Sequence, residues 1–359
     1  MQPNILLAFN AVLREQRRGL YADCTTFGTV RAIYRALMEG GNTVFPVNFR
    51  NEAQVTAYLR QIPPIDLALV IAEGFLDEPQ SFFDGGGAAR IRRYLAQQGI
   101  PCTHTGAMGM EICRRKELTY RVLRQTGICV PAFDVIKPSI PLDHQLNSIQ
   151  TPYPLFVKPV GGGDSMGIDE HSVVFDREQL ITKVESIYQE LGPTPLLVET
   201  FLSGREYTIG IIGNKYRIVF PALAFPRDLM VRTLHVKQQE NQLRDRFEVI
   251  GCDHSRYLVL ADIASRTFDV VGASDVIRLD LREDQDGQLH VIDVNGTPSL
   301  GTRASFSYMA VCLGITHGEL INLVLYESML RHGLIPPKKM EEIVVGPLAK
   351  LAMYRQEVA

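Results

Sequence analysis

The stretch VIRLDLREDQDGQLHVIDVNGTPSL, residues 276–300, determines the predicted fold, because polar and apolar residues alternate on both sides of a turn signal. Asp286 and Gly287 favour a two-residue hairpin turn, since both central positions of that turn need a positive φ. We therefore expect two antiparallel strands joined at this dipeptide. The register that follows pairs Asp280 with Asp293 and Arg278 with Asn295.

The predicted hairpin has one polar and one apolar face, because successive strand residues point to opposite sides. The four polar residues share a face, and two carboxylates opposite each other would repel. A shared Mg²⁺, bound by oxygens of Asp280, Asp293 and Asn295, would remove the conflict. The alternative is a solvent-facing hairpin with incidental acids. The residues expected on the apolar face are Ile277, Leu279, Ile292 and Val294.

A second motif, YPLFVKPVGGGDSMG at residues 153–167, places a lysine inside an apolar strand. An unpaired ammonium at Lys158 would be costly to bury, so it needs an anion. The glycine-rich loop that follows, which includes Asp164 and Ser165, could close over phosphate oxygens. It fits neither the Walker A pattern nor G-x-G-x-x-G, and a simple turn between strands is the alternative.

A third motif, LLVETFLSGREYTIGII at residues 196–212, has an acid at the end of one strand and another at the start of the next. In isolation, Glu199 and Glu206 are typical of polar residues between strands. Their significance depends on the motifs on either side.

The composition is that of a folded enzyme, with 46% apolar and 21% charged residues among 359. The net charge of −3 gives no basic field, so we expect neither nucleic acid nor a membrane as a partner. Six cysteines without a C-x-x-C pair indicate reduced thiols in a cytoplasmic protein. We expect neither a membrane-spanning segment nor a secretory signal.

The order of predicted elements indicates an α/β protein of several units. Residues 1–104 alternate strands and helices, which predicts a parallel sheet. Residues 105–198 form a central unit, in which Asp176 is the expected N-cap of a helix that ends at Leu191. Residues 199–335 are rich in strands, and residues 336–359 are a C-terminal extension that could dock as a helix.

These motifs, taken in order, resemble the ATP-grasp superfamily and most closely the D-alanine:D-alanine ligase family. The resemblance covers roughly residues 65–332 and includes RKELTYRVLRQTGICVPAF at 115–133 and ELINLVLYESML at 319–330. It implies a three-domain ATP-grasp fold, in which an N-terminal parallel-sheet domain precedes a nucleotide site between the central and C-terminal domains. It also implies a homodimer.

The resemblance assigns nucleotide-binding roles by position. Lys116 and Lys158 are similar to the lysines that hold ATP phosphates, and Ser165 lies in the loop that caps them. The segment that contacts adenine corresponds to Glu199, Phe201 and Leu202, and the ribose-binding acid corresponds to Glu206.

The resemblance also implies a reaction. ATP would phosphorylate a substrate carboxylate, and an amine would attack the acyl phosphate to form an amide. Lys158 and Ser165 would assist phosphoryl transfer, and Arg278 would stabilise the tetrahedral charge. Two Mg²⁺ ions, replaceable by Mn²⁺, are expected at Asp280, Asp293 and Asn295.

The substrate side departs from the family pattern. The first loop reads FNAVLREQRRGLYADC at 9–24, where Glu15 could grip an amino group. Ser299 stands at a position where the family usually has glycine, and Arg303 stands where small hydroxyl residues normally receive the carboxylate of the second substrate. We therefore expect a specialised ligase that joins an amino acid to a small carboxylate, and the ligase acting on mycosporine-glycine is of this type. The alternatives are a divergent cell-wall D-alanine:D-alanine ligase and a non-catalytic ADP-binding regulatory protein.

Overall fold

The structure is a computed structural model that describes residues 2–83, 85–163, 165–233 and 246–357. Its strands form three sheets in chain order. Asp164, which we placed in the predicted phosphate loop, lies outside the described residues.

The N-terminal unit is built on a parallel sheet. Its three strands run in the order β2-β1-β3, with β1 at the centre. This arrangement confirms the parallel sheet expected from the alternation of strands and helices. The elements are β1 Asn4–Phe9, α1 Phe27–Glu39, β2 Thr43–Asn48, α2 Glu52–Leu59, β3 Leu67–Val70 and α3 Gly87–Gln97.

The central unit begins with two helices that meet at Arg115, whose backbone is extended. The sheet that follows is antiparallel, with strand order β4-β7-β5-β6. Asp176 caps the N-terminus of α7 by accepting a hydrogen bond from the backbone N–H of Gln179, as predicted. The elements are α4 Ala107–Arg114, α5 Lys116–Gln125, β4 Phe133–Ile136, α6 Leu142–Leu146, β5 Leu155–Pro159, β6 Val173–Val174, α7 Arg177–Leu191 and β7 Leu196–Thr200.

The C-terminal unit is a second antiparallel sheet, in the order β11-β10-β8-β12-β13, with β9 paired to β8. Helix α11 of the C-terminal extension packs against α10, and β14 adds a strand beside β9. The elements are β8 Glu206–Gly213, β9 Tyr216–Val219, β10 Ala222–Ala224, β11 Glu248–Ile250, α8 Ser255–Val270, β12 Val276–Glu283, β13 Leu289–Asn295, α9 Ser305–Cys312, α10 His317–Arg331, α11 Lys338–Lys350 and β14 Arg355–Glu357.

Within the described residues no single helix has the length and apolarity to span a bilayer. The bent pair of α9 and α10, which cross at 104°, passes that test only when the two are taken together.

The β12–β13 hairpin has the predicted register at its polar positions but reaches it differently. Asp280 pairs with Asp293, and Arg278 pairs with Asn295, as predicted. The two-residue turn is wrong, because Asp284 and Gln288 close a loop of three residues. Only its last residue, Gly287 at φ +80°, is in the left-handed region. A three-residue loop of this kind displaces the register by one residue.

A β-bulge restores the register. Leu281 pairs with Val291 and Asp280 with Asp293, so Ile292 is an extra residue on β13. Ile292 therefore does not point into the apolar core as predicted, but lines the cleft described below. Ile277 and Leu279, also predicted to be apolar-facing, are fully buried, and Val294 is nearly so.

Asp275 joins three parts of the chain from a fully buried position. Its carboxylate accepts hydrogen bonds from Arg331 on α10 at 2.6 and 2.8 Å. It also accepts from the Asn214 amide at 3.0 Å and from the backbone N–H of His104 at 2.8 Å. These contacts tie the end of the N-terminal unit to the C-terminal sheet.

Replacing Asp275 with asparagine is expected to lower the free energy of unfolding by about 3 kcal/mol, because Arg331 would lose its buried counter-charge. Asparagine tolerates the left-handed backbone at this position, φ +60°, so the effect isolates the charge. Urea unfolding followed by circular dichroism measures it. The matched control is Asp262→Asn, which removes an exposed partner of Arg266 and should cost less than about 0.5 kcal/mol. Equal losses in the two variants would contradict the buried role.

Glu327 predicts a pH dependence of stability. Burial, reinforced by the nearby Asp275 charge, raises its pKa from 4.5 to about 7, against a smaller opposing effect of Arg355. Between these values the folded protein keeps a proton that the unfolded chain has lost, so stability falls as pH rises. Glu327→Gln should therefore stabilise the protein by about 2 kcal/mol at pH 8 and have little effect at pH 4. Thermal melts across this range test it, with exposed Glu342→Gln as the control; a gain independent of pH would refute it.

Candidate active site

A cleft of about 100 Å³ lies between the central and C-terminal sheets. Its lining contains four basic and four acidic side chains. The predicted site residues that it brings together are Lys116, Lys158, Ser165, Glu199, Phe201, Leu202, Glu206, Asp280 and Asp293.

Lys158 lies on β5 and is almost completely buried. Its ammonium donates to Glu199 at 2.8 Å, to the Tyr120 hydroxyl at 3.1 Å and to the backbone carbonyl of the bulged Ile292 at 3.1 Å. Glu199 lies on the neighbouring strand β7, opposite Phe156 of β5, and this register places it beside the lysine. The anion that the buried lysine requires is therefore present within the protein itself.

Tyr120 forms hydrogen bonds with both members of this ion pair. Its hydroxyl donates to Glu199 at 2.8 Å, and burial together with the Glu199 charge raises the pKa of Tyr120 well above its usual value. It stays a neutral hydrogen-bond donor at any physiological pH. The sequence contained a signal for it, because Lys116 and Tyr120 are four residues apart on one face of α5.

Lys116 is the first residue of α5 and also lines the cleft. Its ammonium donates to the carbonyl of Gly162 at 3.1 Å and lies 3.7 Å from Asp293. Burial lowers the pKa of Lys116, the Asp293 carboxylate opposes that change, and the Lys158 charge adds to it. An anionic ligand would favour the charged form of Lys116.

Glu206 stands between two arginines. Arg282 is its direct partner across β8 and β12, with a side-chain separation of 3.5 Å. Arg232 approaches the other carboxylate oxygen, also at 3.5 Å. Burial lowers the pKa of Arg282, and the Glu206 charge opposes that change. Our sequence reasoning missed both arginines, although Arg282 continues the alternation that begins at Arg278 and Asp280.

Both carboxylate oxygens of Asp280 accept hydrogen bonds. Arg278, two residues earlier on β12, donates to them at 3.2 and 3.0 Å. Thr208 on β8 donates its hydroxyl at 2.6 Å, and Arg232 lies 3.8 Å away. The repulsion expected between Asp280 and Asp293 is therefore offset by cationic side chains.

The side-chain oxygens of Asp280, Asp293 and Asn295 are of the kind that binds a hard divalent cation. Asp293 is partly exposed to the cleft, and the Asn295 amide lies 3.2 Å from its carboxylate. Two carboxylates and an amide oxygen match the ligands that Mg²⁺ prefers. In the described part of the chain no three His, Cys, Asp or Glu side chains converge on one point, so the amide is needed. Asp280 would have to exchange part of its arginine contacts for the ion.

The glycine-rich loop is held against the N-terminal unit. A Cβ atom on Gly161 would collide with the Phe83 carbonyl, and one on Gly163 would lie 2.5 Å from Asp23. Glycine is therefore required at these two positions for close approach to the N-terminal unit. Ser165 has φ +60° and donates its hydroxyl to the Arg232 carbonyl at 2.8 Å.

A buried charge network lies behind this loop. Arg114 donates to Asp23 at 2.8 Å and lies 3.2 Å from Glu73, which follows β3. Burial raises the pKa of Glu73, while the Arg114 and Arg92 charges oppose that change. None of these residues was predicted from the sequence to belong to a site. Contacts between distant segments create the network, so no local spacing announces it.

The predicted substrate residues do not line the cleft. Glu15 is exposed and borders a second, open cavity with Arg18, Asn48 and Arg50. Ser299 and Arg303 are exposed on the loop after β13. Arg278 and Asn295 do not line the cleft themselves. They contact Asp280 and Asp293, respectively, which do. The structure thus gathers most of the residues predicted to bind nucleotide and metal in one cleft and leaves the predicted substrate residues outside it.

Three comparisons identify relatives. Residues 122–326 match the family described as D-ala D-ala ligase C-terminus. A D-alanine–D-alanine ligase of Haemophilus ducreyi is 27% identical over 235 residues, which is 66% of this chain and 74% of that protein. D-alanine–D-alanine ligase B of Clostridium perfringens is 24% identical, over 76% of this chain and 83% of that protein.

Solved structures show the same fold. The D-alanine–D-alanine ligase of Bacillus anthracis complexed with ATP superposes with a TM-score of 0.67 at 19% identity, covering 95% of this chain and 99% of that one. The VanG D-Ala:D-Ser ligase of Enterococcus faecalis gives 0.67 at 15% identity, covering 91% and 100%. The predicted fold class is thereby confirmed. Because the family model spans more than half of the chain, this protein belongs to the D-alanine–D-alanine ligase family of ATP-dependent ligases.

Proposed function

We propose that the protein forms an amide bond between a small carboxylate and the amino group of an amino acid at the expense of ATP. The observation that carries this proposal is the single cleft that gathers Lys116, Lys158, Asp280 and Asp293. Two cations and two acids around one cavity suit a polyphosphate with a divalent metal.

The cleft residues form groups whose chemistry suits different parts of a metal-bound nucleotide. The apolar lining beside Phe201 and Leu202 suits a base, with Glu199 and Glu206 at its polar edge. Lys116 and Lys158 would bind phosphate oxygens, and the loop at Ser165 would cover them. Asp280, Asp293 and Asn295 would hold Mg²⁺, expected as two ions and replaceable by Mn²⁺, which would neutralise phosphate charge.

The reaction follows from these roles. A carboxylate oxygen attacks the γ-phosphorus, so an acyl phosphate forms and ADP leaves. The amine nitrogen then attacks the carbonyl carbon, phosphate leaves, and the nitrogen loses a proton. Arg278 would stabilise the charge on the carbonyl oxygen during the second step. Most of the rate acceleration would come from orientation and electrostatics.

The substrate pair is proposed from the departures on the substrate side. Because Glu15, Ser299 and Arg303 differ in type or place from the family pattern, we propose an amino acid and a specialised carboxylate, of which mycosporine-glycine is one candidate. D-Alanine as both substrates is the second candidate, and the names of the relatives favour it. A homodimer and a cytoplasmic location are also proposed.

A screen of carboxylates and amines, scored by ADP release and by mass spectrometry of the product, tests the function. A specialised ligase should release ADP only when both a carboxylate and an amine are present. Fast formation of D-alanyl-D-alanine with rejection of other amines would establish the second candidate. ADP binding without amine-dependent phosphate release would instead indicate a non-catalytic regulatory protein.

A further inference from the structure

Arg232 occupies a central place in the cleft that neither sequence motifs nor the comparisons assign. Its side chain is 6% exposed and stacks 4.1 Å above the Phe225 ring. Its guanidinium lies 3.5 Å from Glu206 and 3.8 Å from Asp280. Another nitrogen donates to the Ser305 hydroxyl at 3.2 Å. The Arg232 side chain thus lies between Glu206, the acid proposed to bind ribose, and Asp280, an acid proposed to bind metal.

The charges of the ligand-free cleft are already balanced. Its lining has four acids and four basic residues, and each acid has a cationic neighbour. Glu199 pairs with Lys158 and Asp293 with Lys116, while the arginines serve Glu206 and Asp280. A metal and a polyphosphate can therefore enter only by exchange, in which cations move from the carboxylates to phosphate oxygens and the metal takes their place.

The two arginines at Asp280 differ in their freedom to move. Arg278 is on the same strand, two residues away, and donates twice to the carboxylate. Arg232 belongs to a separate segment and makes the longer contact. Its backbone carbonyl also accepts from Ser165 of the glycine-rich loop at 2.8 Å. Arg232 therefore contacts the glycine-rich loop as well as Asp280, the acid proposed to bind metal.

We propose that Arg232 is an internal counter-ion that competes with the divalent metal at Asp280 and transfers to the nucleotide phosphates when they bind. A guanidinium and a divalent ion on one carboxylate repel each other, so metal binding is weak until phosphate oxygens accept the guanidinium, whose planar fork suits them. The nucleotide and metal sites are then positively coupled. This inference rests on the proposed function, because it assumes a nucleotide in the cleft.

Binding measurements on the full-length protein test the proposal without turnover. Mn²⁺ binding is followed by electron paramagnetic resonance with and without ADP, and ADP binding is followed by calorimetry with and without Mn²⁺. The variants are Arg232→Gln and Arg232→Lys. The matched control is Arg266→Gln, which removes an exposed arginine paired with Asp262 on α8.

In the wild type, ADP should tighten Mn²⁺ binding at least about tenfold. Arg232→Gln should bind Mn²⁺ about tenfold more tightly without ADP, bind ADP about tenfold more weakly, and lose most of the coupling. Arg232→Lys should keep part of the ADP affinity as a point charge, and Arg266→Gln should match the wild type.

Two outcomes would overturn the proposal. Weaker Mn²⁺ binding by both Arg232 variants in the absence of ADP would show that Arg232 only positions Asp280, and unchanged coupling would show that it does not compete with metal. If Arg232→Gln does not fold, as judged by its thermal melt, Arg232→Lys decides, since weaker ADP binding together with reduced coupling is required. Wild-type protein that binds no ADP would instead refute the proposed function.

Discussion

Asp293→Ala is expected to lower the rate of amide formation by about 10³-fold while leaving the fold intact. Among the described residues Asp293 has one cationic contact, with Lys116 at 3.7 Å, and it is more exposed than Asp280. Its loss would remove a carboxylate from the proposed metal site and so several kcal/mol of charge stabilisation in the transition state. The assay is phosphate release with the acid and amine pair found by the screen.

The control for Asp293→Ala is Asp286→Ala, an exposed acid in the loop of the same hairpin. It should keep wild-type activity. The thermal stability of ligand-free Asp293→Ala should change little, because Arg278 and Arg232 already offset the charge of Asp280. A second measurement, Mn²⁺ retained with ADP, should show a loss of at least tenfold. Full activity in Asp293→Ala would remove the basis of the metal site.

The second large effect concerns Lys158 and its partner Glu199. Lys158→Met should destabilise the protein by about 3 kcal/mol, because it leaves a buried carboxylate without its cation. The double variant Lys158→Met with Glu199→Gln should recover most of that loss, since no buried charge remains. Both variants should bind ATP at least about tenfold more weakly, because the phosphate contact is absent in each.

Urea unfolding and calorimetry with ATP, applied to both single variants and the double variant, separate the two roles of Lys158. Stability is expected to be strongly non-additive, and ATP affinity is not expected to recover in the double variant. Recovery of ATP affinity together with stability would mean that Lys158 serves only to neutralise Glu199.

The hairpin shows how local sequence can predict a site through an incorrect detail. The register at Asp280 and Asp293 is correct because alternating polarity determines which residues share a face. The turn is wrong by one residue, since Gly287 alone accepts the positive φ and Asp286 does not need to. The bulge at Ile292 compensates, and its carbonyl, freed from the ladder, accepts a hydrogen bond from Lys158.

By itself the sequence determined the order of strands and helices, the paired polar face of the hairpin and the need of Lys158 for an anion. These features follow from periodicity and from the cost of burying charge, both of which act over a few residues. Tertiary structure alone decided which charges meet. Glu199 reaches Lys158 from the adjacent strand, Arg232 reaches Glu206 and Asp280 from a distant segment, and Glu15 lies outside the cleft. Such pairings depend on chain crossings that bring remote segments within 4 Å, and no local pattern encodes those distances.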